Sequence, residues 1–278
     1  MLLIFPSHHV YSLALDGNLY LAPIVAPERI LDLGTGTGLW VMEMAEKFPK
    51  ATVIGNDLSP IQPTWYVSLG HFFARSQIWR HLRVPQNAEF EIDDYTRAWV
   101  HPHNSFDFIH ARALSGTVSD WSKIYSEAYN SLKPGGWFEH LEGDFPLESD
   151  DDSIPNPSRV GEWMYWLDIA GSVTCKSFKI AEHLKEWMIR AGFQNVTEKV
   201  YKIPIGGWPK DEKFKAIGQF NLLNVLEGVG MFSNIYAYFR TTFANTSHWL
   251  KKDGHGLIFH GCWRWDTDIY NDCRQWRR

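Results

Sequence analysis

Short apolar runs alternate along the chain with amphipathic ones, and the hydrophobic period changes with them. "RILDLG" at residues 29–34 is an apolar strand candidate, and "ATVIGNDLS" at 51–59 is a second. Between them "LWVMEMAEKFP" sets Leu39, Met42 and Ala45 on one helical face before Pro49 stops the helix. "AEFEIDD", "FDFIHAR" and "GWFEHLE" predict three further strands. The last two flank a helix in "SDWSKIYSEAYNSLKPGG", whose start Ser119 or Asp120 is placed to cap. Strands alternating with helices predict an α/β fold with a parallel, doubly wound sheet, its ligands at the carboxyl ends of the strands.

From about Gly143 the pattern changes. "GDFPLESDDDSIPNPS" is acidic and rich in turn residues, and reads as a loop. "GEWMYWLDIAGSV" and "FKIAEHLKEWMIRAGF" predict helices, and "NVTEKVYKIPIG" a return to strand. Residues 211–239 predict a long helix weakened by glycines, and "HGLIFHGCWRW" a last strand. The chain divides as one domain over 1–278: an N-terminal cap at 1–27, a cofactor half at 28–142 and a substrate-lid and C-terminal half at 143–278.

A length of 278 residues with 45% hydrophobic and 21% charged residues is that of a globular chain with one large core. Fourteen tryptophans suit a roomy apolar pocket, or plain core filling. The net charge of −5 and the lack of a long basic block give no nucleic-acid footprint. No run has the length of a membrane helix. Cys175, Cys262 and Cys273 show neither metal-ligand spacing nor a disulfide framework. A soluble, intracellular protein is expected, with no nucleic-acid or membrane partner.

The candidate chemistry lies in "DLGTGTG". Gly34, Gly36 and Gly38 alternate after Asp32, letting the chain turn tightly and bringing backbone N–H groups close to a ligand. A dinucleotide fingerprint would place its third glycine one residue later, where Leu39 stands. Asp57 ends the second strand, where a carboxylate accepts from ribose hydroxyls, and Asp93 and Asp94 end the third, where one can receive an adenine amino group. His8 and His9 are adjacent and have no third ligand nearby, so no metal site is expected.

The D-x-G-x-G-x-G spacing resembles the first motif of class I S-adenosylmethionine-dependent methyltransferases. With "HHVYSLALDGNLYLAPI", "VIGNDLSPIQPTW", "FEIDDYTRAW", "NSFDFIHAR" and "GWPKDEKFKAIGQFN", the chain is similar to the LaeA-like methyltransferases of fungi over about Val10 to Glu227. The resemblance implies a Rossmann-like, mostly parallel seven-stranded sheet with a helical lid, and S-adenosyl-L-methionine as cofactor. The implied cofactor site is Asp32, Gly34, Thr35, Gly36, Gly38, Asp57, Leu58, Asp93 and Asp94. The chain departs from the family pattern at residues 66–83, which separate Asp57 from Asp93, and after about Tyr238.

An oxygen acceptor can need a general base, and the histidines at strand ends, His110 and His140, are the catalytic candidates; a structural role competes with each. Arg112 can pair with a strand-end acid or an anionic substrate. Trp163, Trp166 and Trp208 lie where this class builds its acceptor lid, and would wall a flat, fused-ring metabolite or pack helices. The expected activity is O- or N-methylation of a small secondary metabolite. The alternatives are a regulator acting in the nucleus through protein partners, and a cyclase that does not methylate.

Overall fold

The computed structural model describes residues 5–60, 84–143, 147–149, 158–226 and 228. A first unit comprises the described residues up to Leu114, Asp120–Gly143 and those from Ala181 onward; a second comprises Ser115–Ser119 and the described residues of Asp144–Ile180. The insertion at 66–83, the predicted last strand at 255–265 and the far end of the long helix lie outside the described residues.

The first unit is built on five parallel strands, β1 (Arg29–Leu33), β2 (Thr52–Asp57), β3 (Ala88–Ile92), β4 (Phe106–Arg112) and β5 (Leu132–Leu141), in the order β3-β2-β1-β4-β5. Five strands are therefore present among the described residues where seven were expected. β1, β2 and β4 are buried almost continuously, as parallel strands covered on both faces must be. β3 stands at the edge and leaves Ile92 exposed. α1 (Phe5–Ala14) precedes the sheet, and α2 (Leu39–Lys47) crosses from β1 to β2. Its buried face is wider than the predicted stripe, taking in Trp40, Val41 and Met44 besides Met42 and Ala45. Trp40 is core filling with its polar handle satisfied: its indole N–H donates to the Leu19 carbonyl at 2.8 Å.

α3 (Trp121–Ser131) joins β4 to β5 and packs on α5 (Leu184–Ala191), where Trp121 and Trp187 stack with ring centroids 6.1 Å apart. Asp120 is the N-cap residue, but its Oδ1 accepts from the Ser122 hydroxyl rather than from a backbone N–H of the helix. The "KPGG" turn is absorbed into β5 as an irregularity: the register passes from Phe106 opposite Leu132 to Phe108 opposite Trp137. Residues 195–206 form no strand. Val200 stays 86% exposed, and Pro204 has no N–H to give to a ladder. A helix, α6, runs over 212–226.

In the second unit α4 (Arg159–Thr174) begins at a Ser158 cap whose hydroxyl accepts from Gly161 N–H at 2.9 Å. The Cys175 that ends it is disulfide-bonded, a departure from the absence of a disulfide framework expected from spacing.

One side chain closes the β2–β3 end of the sheet. The Asn87 amide donates to the Phe48 carbonyl at 3.1 Å, which also accepts from Ala51 N–H, and to the carbonyls of Ala45 and Ala51 at 3.1 and 2.8 Å, acceptors that α2 and the turn after it leave unpaired. Asn87→Ala strands them, and a loss of about 1–3 kcal/mol is expected in urea unfolding.

Candidate functional site

The sheet order decides the site. The strands run outward from β1 through β2 to β3, then return to β1's other side with β4, so β1 and β4 form the topological switch point. The glycine loop leaves β1 at this point. Gly34, Gly36 and Gly38 all have positive φ, from 57° to 75°. At Gly38 both conformation and space require glycine, because a Cβ would strike the Phe90 ring, its Cζ 2.6 Å away. The loop is held from β2: the Asn56 carbonyl accepts from Thr35 N–H at 2.9 Å, and Asn56 Oδ1 from Gly34 N–H at 3.3 Å.

The predicted carboxylates line the strand ends. Asp57 accepts from Gly36 N–H through Oδ2 and from Ser59 N–H through Oδ1, both at 2.9 Å. These bonds fix its plane, and each oxygen keeps a lone pair. Asp93 Oδ1 accepts from Asp94 N–H at 2.8 Å, and its Oδ2 has no donor among the described residues. Asp94 is spent on its own turn, bonding the Thr96 hydroxyl at 2.6 Å, Thr96 N–H and Arg97. Those bonds hold its carboxyl below the ordinary carboxylate range, the Thr96 hydroxyl foremost. Leu58 is 62% exposed beside Asp57, and Thr35 Oγ1 is buried with no partner among the described residues.

Asp32 is 4% exposed, and its Oδ1 accepts from His110 Nδ1 at 2.7 Å; Oδ2 has no donor among the described residues. The register explains the contact, since Asp32 lies opposite His110 across the β1–β4 seam. The His110 ring also lies flat on Trp40, centroids 3.9 Å apart and planes 6° from parallel. Its Nε2 and the Oε1 of Glu139, the residue opposite it on β5, are both buried without a partner among the described residues. Glu139 Oε2 accepts from Leu21 and Ala22 N–H.

His140 is enclosed too. Tyr125 donates its hydroxyl to Nδ1 at 2.8 Å, and Nε2 donates to Glu142 Oε1 at 2.9 Å, which also accepts from Leu114 N–H. The His140 and Glu142 side chains are fully buried, and burial pushes the Tyr125 phenol far above its ordinary value. Both catalytic candidates thus have their rings inside the protein. Sequence reasoning did not foresee their partners, because it depends on which strands are neighbours.

Burial holds the His110 pKa below its ordinary 6.5, against the hydrogen bond and charge of Asp32; Arg112 lowers it further and Glu139 opposes. An unfolded chain takes up this proton near 6.5 and the folded one resists it. Stability is therefore fully present above that pH and lost as pH falls through it, by up to about 1.4 kcal/mol per pH unit. Asp94 and Asp107, whose folded values are also depressed, contribute their own loss only at lower pH, below the carboxylate value of 3.8. Denaturant unfolding between pH 7.5 and 5.5 is expected to show this slope, and His110→Asn to flatten it.

Trp163 and Trp166 are half-buried on α4, and Trp208 is 73% exposed in the first unit. Among the described residues no group of three or more His, Cys, Asp or Glu can hold a metal, and no helix is long and apolar enough to cross a membrane.

Residues 7–198 match the sequence profile of a methyltransferase domain family. The chain is 36% identical over 228 residues to methyltransferase pytC of Aspergillus terreus, covering 81% of this chain and 64% of that protein. It is 33% identical to the secondary metabolism regulator LAE1 of Cochliobolus heterostrophus over 80% of this chain and 68% of that protein. It is 29% identical to the protein-methionine methyltransferase laeA of Emericella nidulans, with 83% and 59% covered. The chain thus spans about 64% of the length of the first of these relatives. The glycine loop, the acidic strand ends and a profile match from α1 into the region after α5 agree: this chain belongs to the methyltransferase domain family.

Proposed function

We propose that the chain is an S-adenosylmethionine-dependent methyltransferase that methylates an oxygen or nitrogen of a small, flat secondary metabolite. One observation carries the cofactor reading: the groups around the glycine loop are acceptors matched to the cofactor's donors. Asp32 Oδ2 is left to receive the α-ammonium. The free lone pairs of Asp57 would accept from two ribose hydroxyls, and Asp93 Oδ2 from the adenine amine. Asp94, engaged with Thr96 and Arg97, shapes the turn that presents Asp93.

When bound, the cofactor supplies an electrophilic methyl group on a good leaving group. The chain's task is then to align the acceptor and exclude water. With both rings enclosed, His110 positions Asp32, and His140 braces β5 against α3. Trp208, 73% exposed in the unit that carries the strand ends, is the candidate aromatic contact for the acceptor. The similarity to a protein named methyltransferase pytC supports methyl transfer, and the similarity to the secondary metabolism regulator LAE1 supports a second reading, a regulatory role.

Calorimetric titration with S-adenosylmethionine and S-adenosylhomocysteine, followed by mass spectrometry of fungal metabolite extracts, tests this. Binding of both, with metabolites gaining a methyl group, is expected. No binding by folded protein rejects the cofactor reading. Binding with no methylated metabolite, but with protein partners captured, favours the regulatory one.

A further inference from the structure

Arg112 is the last residue of β4, two beyond His110, so its side chain leaves the same face of the sheet one step nearer the ligand-binding ends of the strands. It is partly buried, yet among the described residues no carboxylate lies within 4.0 Å of its guanidinium. Its recorded partners are both on α1: Nη2 donates to His8 Nδ1 at 3.1 Å, and the guanidinium lies 4.9 Å from the Tyr11 ring centroid. His8 is held in turn by Glu43 of α2, whose Oε2 accepts from Nε2 at 3.2 Å.

A buried cation is usually paired, because desolvation costs more than neutral hydrogen bonds return. Here burial draws the guanidinium below its ordinary value, and the nearby charges of Asp32 and Glu43 offset part of that cost from beyond bonding distance. Among the described residues the guanidinium is thus left without a contacting anion. The strand-end acids Asp32, Asp57 and Asp93 can take the ammonium, hydroxyls and amine of an adenosyl amino acid, but all of them repel its carboxylate. In an α-amino acid the carboxylate sits on the same carbon as the ammonium, so an acid and a base on neighbouring strand ends can read both groups together.

We infer that Arg112, oriented by His8 and Tyr11, binds the α-carboxylate of the cofactor's methionine moiety while Asp32 binds its ammonium. This rests on the adenosylmethionine reading given above. Arg112 is thereby a cofactor-positioning residue, and α1 becomes part of the cofactor site. Tyr11, pushed up to about 12 mainly by burial, stays protonated at neutral pH and remains a donor.

The test compares calorimetric affinities for S-adenosylhomocysteine, its decarboxylated analogue and 5′-methylthioadenosine, which lacks the amino-acid end. The native protein is expected to prefer S-adenosylhomocysteine over the decarboxylated analogue by about tenfold or more, the worth of a charge-assisted contact. Arg112→Gln collapses this ratio towards one and leaves 5′-methylthioadenosine affinity unchanged, and Arg112→Lys keeps part of the preference. A native protein that binds both amino-bearing ligands equally overturns the inference without any variant, as does an Arg112→Gln protein that keeps the ratio. A native protein that binds none of the three overturns the cofactor reading and this inference together.

Discussion

Replacing Gly38 by valine is expected to abolish measurable binding of S-adenosylhomocysteine, a loss of at least about a hundredfold, and to lower stability by about 2–4 kcal/mol. Two costs combine. The residue has φ of 75°, where a β-branched side chain is strained, and its Cβ would enter the Phe90 ring of β3. Phe90 packs against the core cluster around Trp40 and Val53, so it cannot swing away without opening that core. Relief must come from the loop, and any shift there moves Gly36 N–H off Asp57 Oδ2. The Asp57 carboxylate and the loop amides then lose their mutual register, and binding is expected to fall more than stability does. Phe90→Ala in the same chain makes room for the new side chain, so the two changes together are expected to cost less stability than the sum of the two made singly, and binding is not restored, because the φ strain persists. Calorimetry and thermal unfolding of the three proteins check this. A Gly38→Val protein that binds S-adenosylhomocysteine within tenfold of the parent would remove the loop from the site.

The strand ends were legible because their chemistry is local. A glycine run between an apolar strand and an amphipathic helix fixes Asp32 and the loop, and acids closing apolar runs fix Asp57 and Asp93. What was not legible depends on neighbours across the sheet. Asp32 and His110 are 78 residues apart and meet only because β4 returns beside β1. No periodicity in either segment encodes that return. His110 and His140 read as bases because histidines at strand ends suit proton transfer; that their rings point inward, onto Trp40 and between Tyr125 and Glu142, is a property of packing.

The β pattern at 195–206 misled for a related reason. Alternating apolar residues make a strand only where a partner offers unpaired backbone groups, and none of the described strands does so there. Arg112 lay in the gap between these cases: its charge was visible, but not that no carboxylate among the described residues lies within bonding distance of it.

His110→Ala is expected to be the most destabilising single change at the site, by about 3–5 kcal/mol. Three losses add. The Asp32 carboxylate, 4% exposed, loses its N–H donor; Trp40 loses the ring stacked on its face; and a cavity opens between β1, β4 and α2. At about 2–4 °C per kcal/mol for a domain of this size, the melting temperature should fall by roughly 6–20 °C. His110→Asn separates these losses, because its amide can still donate to Asp32 while the stacked ring is gone, so an intermediate fall is expected. Asp32→Asn completes the set. Its carbonyl still accepts from His110 Nδ1, so stability should stay within about 1 kcal/mol of the parent. The negative charge is gone, however, so affinity for the ammonium of S-adenosylhomocysteine should fall by about tenfold to a hundredfold. A histidine acting mainly as a base gives the opposite pattern: His110→Ala would melt with the parent and bind S-adenosylhomocysteine normally, losing only turnover. Unfolding curves and titrations of the three variants therefore decide between a ring that aims Asp32 and one that moves a proton.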